Sequence, residues 1–247
     1  MNFCHEFYAE NVEINPFETY TRLNELTNAP FSTFYKNKEQ FILCGSPERY
    51  IKKEGDKIIT QPIKGTAKRG KTEEEDEKIK LELSQNEKER SENIMIVDLV
   101  RNDLSKTAKK ASVKVEELCK VYSFDTVHQM ISTVTSEIEK TTHPVEVLRT
   151  TFPMGSMTGA PKVEAMKIIE DLETTKRGIY SGAIGYFKPN QDFDFNVVIR
   201  SLLYNEETNY LSFMVGGAIT NKANAEDEYN ETLLKAEAMI TSVELDV

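Results

Sequence analysis

The chain is organised around the segment Gln61-Pro62-Ile63-Lys64-Gly65-Thr66-Ala67-Lys68-Arg69-Gly70 and the turn Gly45-Ser46-Pro47-Glu48-Arg49 just upstream of it. Apolar residues flank Lys64, so we expect its stem to leave the end of a buried strand. A partly desolvated site shifts an ammonium toward the neutral amine, which is a nucleophile. Glu48, held by the tight turn, is the natural carboxyl partner of that amine. Spacing alone also allows Lys64 to be a solvated turn lysine.

The composition indicates a globular protein without a basic face. The 247 residues, 39% of them hydrophobic, are enough for one domain with a sizeable core, which we expect to span residues 1–247. A net charge of -10 argues against general binding of nucleic acid or of a membrane surface. Three widely spaced cysteines, no run of about 20 apolar residues and no signal-peptide pattern together predict a cytoplasmic protein.

The charged run from Lys71 to Asn93 predicts a solvated helix rather than disorder. Thr72 and Glu75 have the spacing of a capping box. Farther along, Glu89 and Glu92 lie three residues apart on one helical face and lead into an apolar stretch. Spacing by itself is also typical of two surface carboxylates.

Two further candidate sites follow in the middle of the chain. His128 falls just before a predicted strand, Ile131 to Ile138, and a lone histidine is more often structural than catalytic. The segment Phe152 to Lys162 carries glycines and hydroxyls, Ser156 among them, before Pro161, a favoured first helical residue. Free amides at that helix N-terminus are placed to receive an anion, although a flexible loop is the alternative interpretation.

An arginine on a predicted strand is a candidate for carboxylate binding. Phe193 to Leu203 is predicted as one strand, on which alternation places Asn196, Val198 and Arg200 on the same face. An arginine directed into a sheet core needs an anion, and a guanidinium suits a carboxylate. Surface exposure of Arg200 is the alternative. The preceding segment, Gly178 to Phe187, is predicted as a glycine-rich strand with bulges or close backbone approach.

The C-terminal part predicts a strand and a helix. Leu211 to Val215 is a strand ending in Gly216-Gly217, whose amides are placed to face a carboxylate. A last helix begins near Asn224, with an apolar stripe at Tyr229, Leu233, Ala236 and Ile240. A second stripe carries Glu228, Glu231 and Lys235, a pattern that is usually a solvated face with salt bridges.

Several motifs, in chain order, resemble the chorismate-utilising enzymes, which include anthranilate, aminodeoxychorismate, isochorismate and salicylate synthases. These motifs are Pro62-Ile63-Lys64-Gly65-Thr66, Ser91 to Leu104, Phe152 to Lys162 and Glu228-Tyr229-Asn230-Glu231-Thr232-Leu233-Leu234-Lys235-Ala236. The resemblance covers nearly the whole chain. It implies a mixed α/β (α+β) fold of large sheets flanked by helices, lacking the family's N-terminal portion. One departure is Ala218, where the family usually carries glycine.

The resemblance also implies roles for individual residues. Lys64 matches a nucleophile and Glu48 a general acid. Glu92 and Glu231 match direct Mg2+ ligands, Glu228 a nearby or water-mediated one, and Glu89 a neighbouring active-site carboxylate. The implied substrate-binding residues are Gly65, Thr66, His128, Ser156, Tyr180, Arg200, Gly216, Gly217 and Lys235.

Lys64 selects a reaction within this family. Aminodeoxychorismate synthases carry lysine at this position, whereas anthranilate synthases resemble Pro-Ile-Ala-Gly-Thr there. The resemblance thus implies conversion of chorismate and ammonia to 4-amino-4-deoxychorismate. Because no Cys-His-Glu glutaminase unit is visible, the ammonia is expected from a separate glutamine amidotransferase subunit or from solution. Anthranilate synthesis and a catalytically incomplete chorismate-binding module are the alternatives.

Overall fold

The computed structural model describes residues 1–220 and 223–243. Its elements in chain order are β1 (Asn2–Ala9), α1 (Pro16–Thr27), β2 (Phe31–Asn37), β3 (Gln40–Ser46), β4 (Arg49–Glu54), β5 (Lys57–Gln61), β6 (Ile63–Lys68), α2 (Glu73–Gln85), α3 (Glu87–Ser105), β7 (Lys114–Ser123), β8 (Val127–Glu137), α4 (Pro144–Thr151), a 3-10 turn (Gly155–Met157), α5 (Lys162–Leu172), β9 (Gly185–Phe187), β10 (Phe193–Asn196), β11 (Ser201–Asn205), β12 (Tyr210–Ala218) and α6 (Ala225–Ser242). The expected mixed α/β class is confirmed.

The chain divides into two compact units. The first contains Met1–Glu48, Val163–Ile184 and the segment from Asn196 onward, and the second contains Arg49–Lys162 and Gly185–Phe195. No helix in the described part of the chain is both long and apolar enough to cross a membrane.

The first unit is built on a five-stranded sheet in the order β1-β12-β11-β3-β2. Its core joins α1, α6 and the sheet through side chains such as Leu23, Leu43, Leu202 and Met239, all of them fully buried. Helix α1 begins at Pro16, where the Asn15 side chain accepts hydrogen bonds from the amides of Phe17 and Glu18.

The second unit is built on a seven-stranded sheet in the order β6-β8-β5-β4-β10-β9, with β7 paired to β8. Helix α3 packs on this sheet through Ile96, Val97, Val100 and Leu104, which are all buried. The charged run is helical as predicted, but Asn86 divides it into α2 and α3 and serves as the N-cap of α3.

The predicted strand Phe193 to Leu203 is wrong, because the chain changes sheets within it. β10 ends at Asn196 in the seven-stranded sheet and β11 starts at Ser201 in the five-stranded one. Arg200 lies in the break, with φ of 52°. The alternation argument therefore does not apply to Arg200, since one side-chain pattern cannot continue across a break in the pleat.

The predicted strand Gly178 to Phe187 is also mostly wrong, since only Gly185–Phe187 forms a strand. Tyr180 lies in a turn instead, where its amide donates to the Arg177 carbonyl at 2.9 Å. The expected close backbone approach is confirmed at Gly185, where an added Cβ would stand 2.2 Å from the Asp194 carbonyl oxygen.

Helix α6 begins at Ala225, with Asn224 as its N-cap, so its start is close to the predicted one, but it buries a different face from the predicted one. Tyr229 and Ile240 of the apolar stripe are 53% and 45% exposed. The buried positions are Glu228, Thr232, Ala236, Met239 and Ser242. The predicted apolar stripe is therefore wrong, apart from Ala236, and the polar face next to it is partly buried.

Candidate functional site

Lys64 sits in a bulge of β6. This strand pairs with β8 through Ile63 opposite Ile131 and Thr66 opposite Gln129, and the register shifts between Ile63 and Thr66. Lys64 and Gly65 occupy that irregularity, and Gly65 has φ of 90°, a conformation that glycine adopts without strain. A β-bulge changes the direction of the side chains beside it. Lys64 is thus half-buried within an irregular strand rather than at a strand end.

Glu89 of α3 lies against this bulge. A Cβ added to Gly65 would stand 3.2 Å from the Glu89 Cβ and 3.3 Å from its Oε2. The structure therefore places the predicted neighbouring carboxylate next to the residue that follows Lys64. Thr66, the next residue along β6, is exposed.

Glu92 is buried one turn farther along α3. Its side chain is 8% exposed, and its Oε1 has no hydrogen-bond partner among the described residues. Burial of a carboxylate oxygen without a partner is unfavourable unless a cation or a donor meets it. The surface-carboxylate alternative therefore does not hold for Glu92, and its unsatisfied oxygen fits a metal ligand.

Asn93 fixes the rotation of α3 beside Glu92. Its side chain is fully buried, donates to the Met130 carbonyl at 3.3 Å and accepts from the Ser132 hydroxyl. Both partners belong to β8. The sequence analysis did not identify Asn93. The feature that could have pointed to it is a polar side chain directly after Glu92, at the start of an apolar helical face.

His128 is fully buried on β8, and both of its ring nitrogens contact protein groups. Nε2 lies 2.9 Å from Oδ1 of Asp76, and Nδ1 lies 2.9 Å from the Ser123 hydroxyl. Arg69 binds the same carboxylate at 2.7 Å through each of two nitrogens. These bonds from Arg69 hold the pKa of Asp76 well below its usual range. The arrangement is that of a structural histidine, and contact of His128 with a substrate ring stays a prediction.

The loop that contains Ser156 is ordered by buried contacts. Residues 154–158 are all buried, and Gly155 packs so closely on α3 that an added Cβ would lie 3.0 Å from the Leu99 Cβ. The Lys162 ammonium holds the loop ends by donating to the Thr151 and Pro153 carbonyls at 3.2 and 2.7 Å. It also pairs with Asp103 at 2.5 Å. The flexible-loop interpretation is therefore wrong, and α5 starts at Lys162, directly after Pro161.

In the first unit, Glu48 is a buried residue in the turn after β3, two residues beyond the last strand residue, Ser46. Glu48 is only 6% exposed. The predicted tight turn is present, because the Glu48 amide donates to the Ser46 hydroxyl at 3.2 Å. The Val197 amide donates to the Glu48 carbonyl at 3.0 Å and fixes the backbone there.

Tyr180 and Arg200 are close enough in this unit to affect each other's titration. Burial raises the pKa of the Tyr180 phenol, and Arg200 lowers it. Burial also lowers the pKa of the half-buried Arg200, against the opposing influence of Tyr180 and Glu231. The guanidinium donates to the Lys235 carbonyl at 3.3 Å. A partly desolvated cation beside a phenol suits a carboxylate ligand.

Gly216 and Gly217 lie within β12 rather than after it, next to the charged residues of α6. A Cβ on Gly217 would stand 3.3 Å from Oε2 of Glu228. Lys235 donates to the Gly216 carbonyl at 2.9 Å and pairs with Glu231 at 2.7 Å. Glu228 is only 5% exposed, so the solvated-face interpretation of this stripe is wrong for that residue.

Each unit therefore collects part of the predicted set. The second unit holds Lys64, Gly65, Thr66, Glu89, Glu92, His128 and Ser156, and the first holds Glu48, Tyr180, Arg200, Gly216, Gly217, Glu228, Glu231 and Lys235. Within the described residues there is no cluster of three or more histidine, cysteine or acidic side chains arranged to hold a metal ion.

The family of the chain follows from comparison with known sequences. The model of the chorismate binding enzyme family matches residues 1–241. The chain belongs to this family. The resemblance derived from the sequence motifs is therefore confirmed.

Within this family, the similar proteins include aminodeoxychorismate synthases. The probable chloroplastic enzyme of Oryza sativa subsp. japonica is 44% identical over 94% of this chain and 26% of its own length. Aminodeoxychorismate synthase component 1 of Bacillus subtilis is 40% identical over 96% of this chain and 50% of its own length. The chain thus spans half or less of the length of these two relatives.

A solved structure of the family has the same fold. The crystal structure of anthranilate synthase component I from Streptococcus pneumoniae superposes with a TM-score of 0.86 at 33% identity. It is matched over 96% of this chain and 52% of its own length. The predicted fold of large sheets flanked by helices is confirmed by this likeness.

Proposed function

We propose that this chain carries the chorismate-aminating part of an aminodeoxychorismate synthase component 1. The observation that carries the proposal is Lys64, half-buried in the β6 bulge beside Gly65 and Glu89. A lysine amine in a confined, partly desolvated position suits covalent catalysis. Aminodeoxychorismate synthases resemble this chain in having the lysine, and anthranilate synthases have alanine there.

The reaction proceeds in two displacements. The neutral amine of Lys64 adds to C2 of chorismate, the ring double bonds shift, and the C4 hydroxyl leaves as water with a proton from Glu48. Ammonia then adds to C4, the double bonds shift back, and the bond from C2 to Lys64 breaks. The amine of Lys64 takes back its electron pair, and the product is 4-amino-4-deoxychorismate.

Mg2+ is the proposed cofactor. Glu92 and Glu231 would hold it directly and Glu228 nearby or through water, a carboxylate set that Mg2+ prefers. The unsatisfied buried oxygen of Glu92 supports that residue's part in the set. When bound, the ion supplies positive charge to the ring carboxylate of the substrate.

The enolpyruvyl arm is assigned to the first unit. Arg200 and Tyr180 would bind its carboxylate, with amides near Gly216 as further donors. The expected partner is a glutamine amidotransferase subunit that supplies ammonia. We place the reaction in the cytoplasm, because Cys4, Cys44 and Cys119 are all free thiols.

Product identification tests the proposal. The purified chain is incubated with chorismate, Mg2+ and excess ammonium salt, and the products are separated by chromatography and identified by mass spectrometry. We expect 4-amino-4-deoxychorismate, and none from a Lys64→Ala variant that still folds. Anthranilate as the product would contradict the proposed reaction, and unconsumed chorismate would contradict activity of this chain on its own.

A further inference from the structure

Glu173 and Arg177 form a buried ion pair directly before the turn that carries Tyr180. Arg177 Nη2 lies 2.6 Å from Glu173 Oε1, and its Nε lies 2.9 Å from Oε2. The Arg177 side chain is only 16% exposed and the Glu173 side chain only 4%. Burial of such a pair has a large desolvation cost unless further hydrogen bonds satisfy its remaining atoms.

Those further hydrogen bonds connect two distant segments. On one side, Arg177 Nη1 donates to the Ser181 hydroxyl at 3.1 Å, next to Tyr180. On the other side, Arg177 Nη2 donates to the Asn2 carbonyl at 3.0 Å, and the Cys4 amide donates to Glu173 Oε1 at 3.0 Å. The pair therefore joins the Tyr180 turn to the edge strand β1.

Strand β1 in turn positions the two glycines of β12. Phe3 is paired with Gly217 and Cys4 with Gly216. A Cβ on Gly216 would lie 2.3 Å from the Phe3 carbonyl oxygen, so the two backbones approach as closely as a glycine allows. A displacement of β1 would therefore displace the Gly216-Gly217 backbone with it.

We propose that Glu173 and Arg177 are positioning residues that set the spacing between Tyr180 and the Gly216-Gly217 backbone, and so shape the pocket for the enolpyruvyl carboxylate. This inference rests on the proposed function, which assigns that carboxylate to these groups. The pair acts through β1 and through the turn, not by touching the substrate. A purely structural pair would affect stability without a selective effect on the substrate.

The test removes the pair without leaving a buried lone charge. In the double variant Glu173→Leu/Arg177→Met both charges are replaced by apolar side chains, a change that buried ion pairs often tolerate. The matched control, Glu146→Leu/Arg149→Met, removes an exposed bidentate pair from α4. Melting temperature, kcat, the chorismate KM and the ammonium KM are measured for the parent chain and both variants.

We expect the double variant to raise the chorismate KM about tenfold, with the ammonium KM, kcat and melting temperature close to the parent values. The control should change none of these quantities. An unchanged chorismate KM in the folded double variant would overturn the inference. Equal rises in both KM values would also overturn it, because they would indicate general distortion.

Two readouts separate this inference from the proposed function. If the parent binds chorismate but makes no 4-amino-4-deoxychorismate, the proposed reaction fails, and the chorismate dissociation constant replaces KM in the same comparison. Amide hydrogen exchange needs no ligand: peptides over 177–182 and 212–218 should exchange faster in the double variant than in the parent. Unchanged exchange in both peptides would contradict the positioning role.

Discussion

Gly65 lies directly against Glu89, because a Cβ at Gly65 would stand 3.3 Å from the carboxylate oxygen Oε2 of that glutamate. Gly65 also has φ of 90°. A side chain at the residue after Lys64 would therefore have tight contacts and an unfavourable backbone conformation. The direction of Lys64 depends on a glycine that α3 covers.

Gly65→Ala should lower both stability and activity. The left-handed backbone costs an alanine about 1–2 kcal/mol, and the contacts with Glu89 and Leu83 add to that cost and displace Lys64. Gly55→Ala is the matched control, since Gly55 has φ of 59° and no described heavy atom within 4 Å of an added Cβ. Urea denaturation and the amination rate are measured. Equal losses in the two variants would show that the contact with Glu89 has no effect.

Lys64→Ala should reduce C4 amination about a thousandfold or more, because the nucleophile is removed. Magnesium-dependent binding of chorismate should persist, as measured by calorimetry. Lys68→Ala on the same strand, where the side chain is exposed, should keep full activity. Normal amination by Lys64→Ala would rule out a covalent step at this residue.

Glu92→Gln should stabilise the chain in the absence of Mg2+ by about 1 kcal/mol, since it removes a buried charge whose Oε1 has no partner among the described residues. The same variant should lose the stabilisation that added Mg2+ gives the parent. Thermal unfolding with and without Mg2+ measures both effects. Glu87→Gln, an exposed position of α3, should leave both unchanged. An unaltered response to Mg2+ would remove Glu92 from the proposed ligand set.

Asp76→Asn should reduce stability at neutral pH more than at acid pH. Hydrogen bonds from Arg69 depress the pKa of Asp76 in the folded state. The stability that this gives is present above the unfolded pKa of about 3.9 and is lost as the pH falls below it. Denaturation between pH 7 and pH 2 should therefore show the parent and the variant converging below about pH 4. Asp98→Asn breaks an exposed pair with Arg101, and its stability should change with pH in parallel with that of the parent.

Met239→Ala and Ile240→Ala test which face of α6 is buried. Met239 is fully buried, so its truncation should lower the free energy of unfolding by about 2–5 kcal/mol. Ile240 is 45% exposed, so its truncation should lower the free energy of unfolding much less. The measurement is urea denaturation of each variant. The reverse order would restore the apolar stripe predicted from the sequence.

Short-range features were predictable because their causes lie within a few residues. The last helix was predicted to begin near Asn224 and does begin at Ala225, since the Asn224 side chain that caps it needs only its own next amides. The Thr72 cap also forms, although the Glu75 carboxylate accepts from the Lys71 amide rather than closing a reciprocal box. The order of motifs along the chain was sufficient to identify the family.

Longer-range features were decided only by tertiary structure. The sequence could not show that Arg200 lies in a break between two sheets, because the break depends on which strands the flanking segments join. The partners of His128 on α2 and of Arg177 on β1 lie 52 and 175 residues away. Periodicity records which side chains share a face, but burial depends on what packs against that face, and only the folded chain determines that.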